Sequence, residues 1–182
     1  MRSATLAGSD ATLTWRLRGN LGGERPADPV RGPFNNGGLH GERAGWSLPG
    51  YPDGSWSRVS LPHNETRPGV GWYRTSFPLH LPAGQDTAVG VHLGVHRRAL
   101  IFVNGWLIGR YVGDVGPQDT FPVPPGILHP RGDNTIAIAA WGLDDAAGLG
   151  TVELTSLGTY ATGLRIGDVT SPGYDPRRYA AD

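Results

Sequence analysis

The chain has 182 residues, with sixteen basic side chains, all arginine, against sixteen acids, and no cysteine. That length holds one good core or two small ones. The missing cysteine excludes disulfides and thiolate metal sites, the missing lysine excludes Schiff-base and phosphate-loop lysine chemistry, and zero net charge gives no electrostatic reason to expect nucleic acid or an anionic membrane.

From the N-terminus, "MRSATLAGSDATL" carries no apolar h-region, so no signal peptide is expected there, and residues 1–14 read as a loosely ordered lead-in. "ATLTWRLRG" follows, alternating Leu13, Trp15 and Leu17 against polar neighbours, the period of a half-buried strand. Residues 19–70 are dense in Gly, Pro and Asn, and a structureless loop of that length is unexpected in a compact domain. They read as an irregular wrapping segment pinned by Phe34, Trp46 and Trp56. The main strands are expected over 71–170: "GWYRTSFPLHL", "TAVGVHLG", "ALIFVN", "WLIGRYV", "NTIAIAAW", "GTVELTSLGTY" and "TGLRIGDV". In the fifth of these, Ile136 and Ile138 share one face, with Ala137, Ala139 and Trp141 on the other. "FPVPPG" before it is a stiff proline segment suited to an edge connection.

No segment sustains a helical apolar period, and no apolar run has the length of a membrane-spanning helix. Glycine (29) and proline (16) are abundant, yet six tryptophans, six tyrosines and four phenylalanines argue against disorder. Short strands joined by specified turns, at a spacing of about ten residues, give an all-β antiparallel sandwich or jelly roll in one domain.

Asn104-Gly105 between two apolar runs is a hairpin signal, because a type I′ turn needs positive φ at both central residues. A two-residue loop sets Val103 opposite Trp106, Phe102 opposite Leu107 and Ile101 opposite Ile108. "HNETRP" suggests a glycosidase acid, but retaining hydrolysis needs a second carboxylate roughly 5 Å away. Among the four glutamates (Glu24, Glu42, Glu65, Glu153), no spacing aims a partner at Glu65. His92 and His96 have the spacing of a helical metal pair, but on a strand four residues span about 13 Å, too far for one ion. Asp114 and Asp119 are oxygen donors without a spaced ligand motif, so no metal is expected, and no cofactor either. Arg131-Gly132-Asp133 reads as a turn before the strand at Asn134. No nucleophile elbow, phosphate loop or basic stripe is present.

The ordered set "GNLGGERPADPVRGPFNNGGLHGERAGWSLPGYPDGSW", "GVGWYRTSFPLHLPAG" and "RALIFVNGWLIGRYVGDVGPQDTFPVPPGILHPRGDNTIAIAAW", closed by "SPGYDPRR", resembles the C-terminal jelly-roll region of large β-galactosidases of glycoside hydrolase family 35. The similarity runs from about Trp15 to the C-terminus, and part of it also resembles the sugar-binding domains of family 2 glycosidases. The resemblance implies a galactose-binding-domain-like fold. The catalytic glutamates of those enzymes sit on a barrel of about 250 residues, for which this chain has no counterpart, so no catalytic residue carries over to it, Glu65 included. The implied role is a non-catalytic accessory domain whose partners are a galactose-containing carbohydrate or the catalytic barrel. Trp106, Trp46, Tyr111 and Arg110 are the candidate sugar contacts. Asn104, Gly105, Trp72, Tyr73, Arg74 and Asn134 are expected to be scaffold. Arg74 would pair with a buried carboxylate or carbonyl, Asn134 would bond the turn before its strand, and Gly116, Pro117, Gln118 and Phe121 would shape the crossover.

Overall fold

A computed structural model describes residues 4–6, 9–11, 13–19, 40–65, 68–94, 98–113, 118–142, 147–161, 163, 166–171 and 173–179. The strands in chain order are β1 (Ala4–Leu6), β2 (Ser9–Ala11), β3 (Trp15–Gly19), β4 (Ser57–Val59), β5 (His63–Glu65), β6 (Gly69–His80) and β7 (Asp86–Gly94). They continue with β8 (Arg98–Val103), β9 (Trp106–Val112), β10 (Thr120–Pro122), β11 (Arg131–Gly142), β12 (Ala147–Leu149) and β13 (Thr151–Tyr160). The one helix among the described residues is α1 (His40–Arg43), a single turn.

A six-stranded sheet runs β4-β3-β6-β11-β8-β9, and a three-stranded sheet runs β10-β7-β13; every pairing within these two sheets is antiparallel. The spine of the larger sheet is β6 against β11, in register from Gly69↔Gly142 to His80↔Arg131. Strict alternation on these strands fills two cores. Tyr73, Phe77, Ile101, Ile136 and Ile138 meet Val91, Leu93, Phe121 and Val152 of the smaller sheet in an inner cluster. The opposite face holds Trp72, Leu100, Phe102, Ala137 and Ala139, joined by Trp46 and Trp56 from the wrapping segment. A sheet buried on both faces explains why its central strands read as near-continuous apolar runs.

Of the stretch expected as a wrapping segment over 19–70, the described residues Ala44, Trp46 and Trp56 pack on the outer face, while Phe34 lies outside the described residues. Four expectations are corrected. Within the predicted lead-in, Ala4–Leu6 and Ser9–Ala11 pair as a small hairpin. Arg131, Gly132 and Asp133 are the first residues of β11, opposite His80, Leu79 and Pro78, because β6 is long enough to extend the ladder past Asn134. In the stretch expected as a last strand, residues 166–170 are irregular, tied through the Val169 N–H to the Gly126 carbonyl at 2.8 Å.

The fourth correction is the hairpin register. Val103↔Trp106 and Phe102↔Leu107 pair as predicted, but Ile101 faces Gly109, so Ile108 is the extra residue of a β-bulge. A Cβ at position 109 would run into the Phe121 ring, so a side chain there is excluded by packing. From that point the alternation is shifted by one. Tyr111 turns inward with Ala99, and Arg110 turns outward with Leu100. Gly109→Ala is expected to lower stability by about 1–3 kcal/mol through overpacking against Phe121, measured by denaturant unfolding.

Candidate functional site

Alternation on β6 places Trp72 and Arg74 on the outer face and Tyr73 on the inner one, all essentially sealed from solvent. The Arg74 guanidinium donates from Nε to Asp53 Oδ2 at 3.0 Å and from Nη1 to the Trp46 carbonyl at 2.7 Å. It also lies over the Tyr51 ring, 5.7 Å from its centroid. Burial pushes its pKa below the ordinary arginine value, and the charge of Asp53 works against that shift. Around it the indole of Trp46 meets Trp56 and Trp72 edge to face at 5.2 and 5.9 Å, and Trp72 stacks on Phe102 at 5.7 Å. Arg18 covers Trp46 at 5.3 Å. The C-terminal tail closes the group: Tyr174 donates its N–H to the Pro49 carbonyl at 2.9 Å and its ring meets Tyr51 at 4.9 Å. The charged pair thus clamps the wrapping segment onto the sheet.

A second buried polar group sits at the hairpin. Asn104 has φ 48° and Gly105 φ 83°, as the turn requires. Yet the Asn104 side chain is inside. Its Nδ2 donates to the Ile127 carbonyl at 2.7 Å and to Asn134 Oδ1 at 2.8 Å, and its Oδ1 accepts the Thr135 N–H at 2.8 Å. Asn134 in turn accepts the His129 N–H at 2.8 Å and donates to the His129 and Gly132 carbonyls at 2.9 and 3.1 Å. Two amides therefore tie the hairpin tip, the 127–130 turn and β11 into one unit.

The four candidate sugar contacts are not brought together. Trp46 is 2% exposed and Tyr111 9%, each packed into one of the two cores. Tyr111 packs edge to face on Phe121 at 6.4 Å, and burial, with the charge of Asp119, pushes its phenol up in pKa. Trp106 is 41% exposed at the hairpin tip. Arg110 is also exposed, but the bulge sets it on the face opposite to Trp106. His92 bonds Thr120 at 3.0 Å on the smaller sheet, and His96, Asp114, Gly116 and Pro117 lie outside the described residues. Among the described residues no cluster of three metal-ligating side chains occurs. Glu153 is on β13 opposite His92, whereas Glu65 is on β5, in a separate two-stranded sheet with β12.

Sequence reasoning missed Asp53 and Tyr51 as the partners of Arg74. The "YPDG" tetrapeptide announces a turn, but a turn aspartate facing a buried arginine 21 residues on has no sequence signal. Phe121 is the middle residue of β10 and a core ring, and Gln118 precedes that strand and is exposed.

The fold and its buried polar groups define an antiparallel β-sandwich whose paired charges and amides serve architecture. Residues 40–146 match the family of the β-galactosidase second all-β domain. The chain belongs to that family. It is 45% identical over 167 residues to a probable β-galactosidase C of Penicillium rubens, covering 88% of this chain and 17% of that protein. It is also 45% identical over 175 residues to β-galactosidase A of Aspergillus oryzae, covering 93% of this chain and 17% of that protein. The chain therefore spans about a sixth of the length of these relatives. Among solved structures, a Bacteroides uniformis β-glucuronidase aligns with TM-score 0.54 and 19% identity over 79% of this chain and 17% of that one. A family 2 glycosyl hydrolase from Bacteroides cellulosilyticus aligns with TM-score 0.51 and 20% identity over 76% of this chain and 19% of that one. These two share the fold.

Proposed function

We propose that the chain acts as a non-catalytic accessory module of a β-galactosidase, with an architectural role against the catalytic part of the enzyme. The observation that carries this reading is the fate of the aromatic side chains. Trp46, Trp56, Trp72 and Tyr111 are consumed by the module's own two cores, and no second carboxylate shares a sheet with Glu65 among the described residues. That burial supports an architectural role, and the family match supplies the enzyme in which such a module would sit.

Weak galactoside binding is a second reading, supported by one feature, the exposed indole of Trp106. A single stacking ring contributes about 1–2 kcal/mol, which corresponds to millimolar affinity or weaker. Both readings are tested on the full chain. Incubation with a chromogenic β-galactoside is expected to release no chromophore above the buffer blank, and turnover abolished by Glu65→Gln would overturn the non-catalytic role. Titration with galactose, lactose and galactan, followed by NMR, confines any shift to the Trp106 indole. Shifts centred on Trp46 or Tyr111 would contradict the architectural reading. No shift at tens of millimolar sugar, the range expected for one ring, removes the binding one.

A further inference from the structure

We propose that Asn104 is a latent self-modification site: it converts to aspartate or isoaspartate once the hairpin tip opens, and the product then keeps the tip from closing. Asparagine is a thermolabile residue, and here it precedes Gly105, whose backbone nitrogen no side chain crowds. In the reaction that nitrogen loses its proton and attacks Cγ of the Asn104 side chain. The new N–Cγ bond closes a five-membered imide, the Cγ–Nδ2 bond breaks, and Nδ2 leaves as ammonia with the proton. Water then opens the imide at either carbonyl carbon. One opening leaves aspartate, and the other leaves isoaspartate, with the main chain rerouted through Cγ.

The fold withholds this reaction at each step. Asn104 is 1% exposed, so water does not reach its amide. Nδ2, the leaving group, donates to the Ile127 carbonyl and Asn134 Oδ1, and Oδ1 accepts the Thr135 N–H. The main chain is fixed beside it, the Asn104 N–H donating to the Thr135 carbonyl at 2.9 Å. Attack needs the side-chain amide turned back over its own peptide, and these bonds hold it toward β11 and the 127–130 turn. The product does not fit the same cage. Aspartate at this position still accepts from Thr135, but it sets a carboxylate against the two acceptors to which Nδ2 donated. Asn134 cannot turn its amide to help without losing its bonds to the His129 N–H and to the His129 and Gly132 carbonyls. Isoaspartate adds a main-chain carbon to the two-residue turn that pairs Val103 with Trp106. Opening followed by conversion is therefore one-way, because the open chain is chemically changed before it refolds. None of this depends on the accessory role proposed above.

Tryptic peptide mapping by mass spectrometry tests it on the full chain, held in mildly alkaline buffer with and without denaturing urea. Asn104 falls in the peptide 99–110, apart from Asn36–Gly37, the other Asn–Gly pair, in the peptide 32–43. In urea the amide-to-acid mass change is expected in 99–110, and Gly105→Ala should slow it. In native buffer the conversion is expected to be about 1,000-fold slower or more, following the fraction of open chains, and to rise with urea through the unfolding transition. Asn134→Ala removes one partner of Nδ2 and should speed native conversion about tenfold, the factor for losing one buried hydrogen bond. Asn104→Asp, the product made directly, is expected to unfold at lower urea than the parent. The urea series on the parent chain decides the question if Asn134→Ala does not fold. Equal rates in native buffer and urea overturn the proposal, as does a rate in urea that Gly105→Ala leaves unchanged. A folded Asn134→Ala chain that converts no faster, or an Asn104→Asp chain as stable as the parent, overturns it too.

Discussion

Asn104→Ala is expected to lower the unfolding free energy by about 3–5 kcal/mol, read from urea transitions, although the residue sits in a two-residue turn. The substitution removes both donors and the acceptor that connect the tip to Ile127, Asn134 and Thr135. Each buried partner left without a bond costs about 1–3 kcal/mol. Alanine must also hold the φ of 48°, a left-handed conformation that costs an L-residue with a Cβ about 1 kcal/mol. Asn104→Gly separates the two effects. It keeps the turn conformation and loses only the bonds, so it should recover about 1 kcal/mol of the alanine loss. A glycine variant as stable as the parent would mean that the amide contributes nothing beyond its turn preference.

Arg74→Met is expected to cost a similar amount, about 3–5 kcal/mol, the range for breaking a buried ion pair by removing one partner. The methionine fills part of the space, but the Trp46 carbonyl loses its donor and Asp53 its counter-charge. Asp53→Asn should cost less, about 1–2 kcal/mol, because its amide oxygen can still accept from Arg74 and the site is partly reached by water. Near-ultraviolet circular dichroism of the tryptophan cluster gives an independent reading. If the clamp holds the wrap on the sheet, the Trp46–Trp56–Trp72 signal weakens in Arg74→Met more than in Asp53→Asn. Equal effects would place the loss in the cavity and not in the clamp.

The fold class was legible because strand alternation and turn chemistry are local. Ile136 and Ile138 on one face and Ala137 and Ala139 on the other follow from the period alone, as does the turn at Asn104-Gly105. The family resemblance was carried by ordered motifs, and the match over residues 40–146 agrees with it. The candidate sugar contacts fared differently. An aromatic residue near a glycine-rich turn reads the same whether its ring faces solvent or lies against another strand, and burial separated Trp106 from Trp46 and Tyr111.

The sequence by itself determined the all-β architecture, the hairpin and its turn, the two-faced β11 and the accessory family, since each rests on periodicity, on residues that favour one backbone conformation, or on motif order. The tertiary structure alone decided what those residues touch. The Phe121 ring against Gly109 set the bulge that parted Arg110 from Trp106. The fold of the wrap brought Asp53 to Arg74, and the 127–130 turn made Asn104 a cross-link as well as a turn-former. These contacts join segments distant in sequence, and such pairings are settled by packing between elements and leave no periodic trace within any one of them.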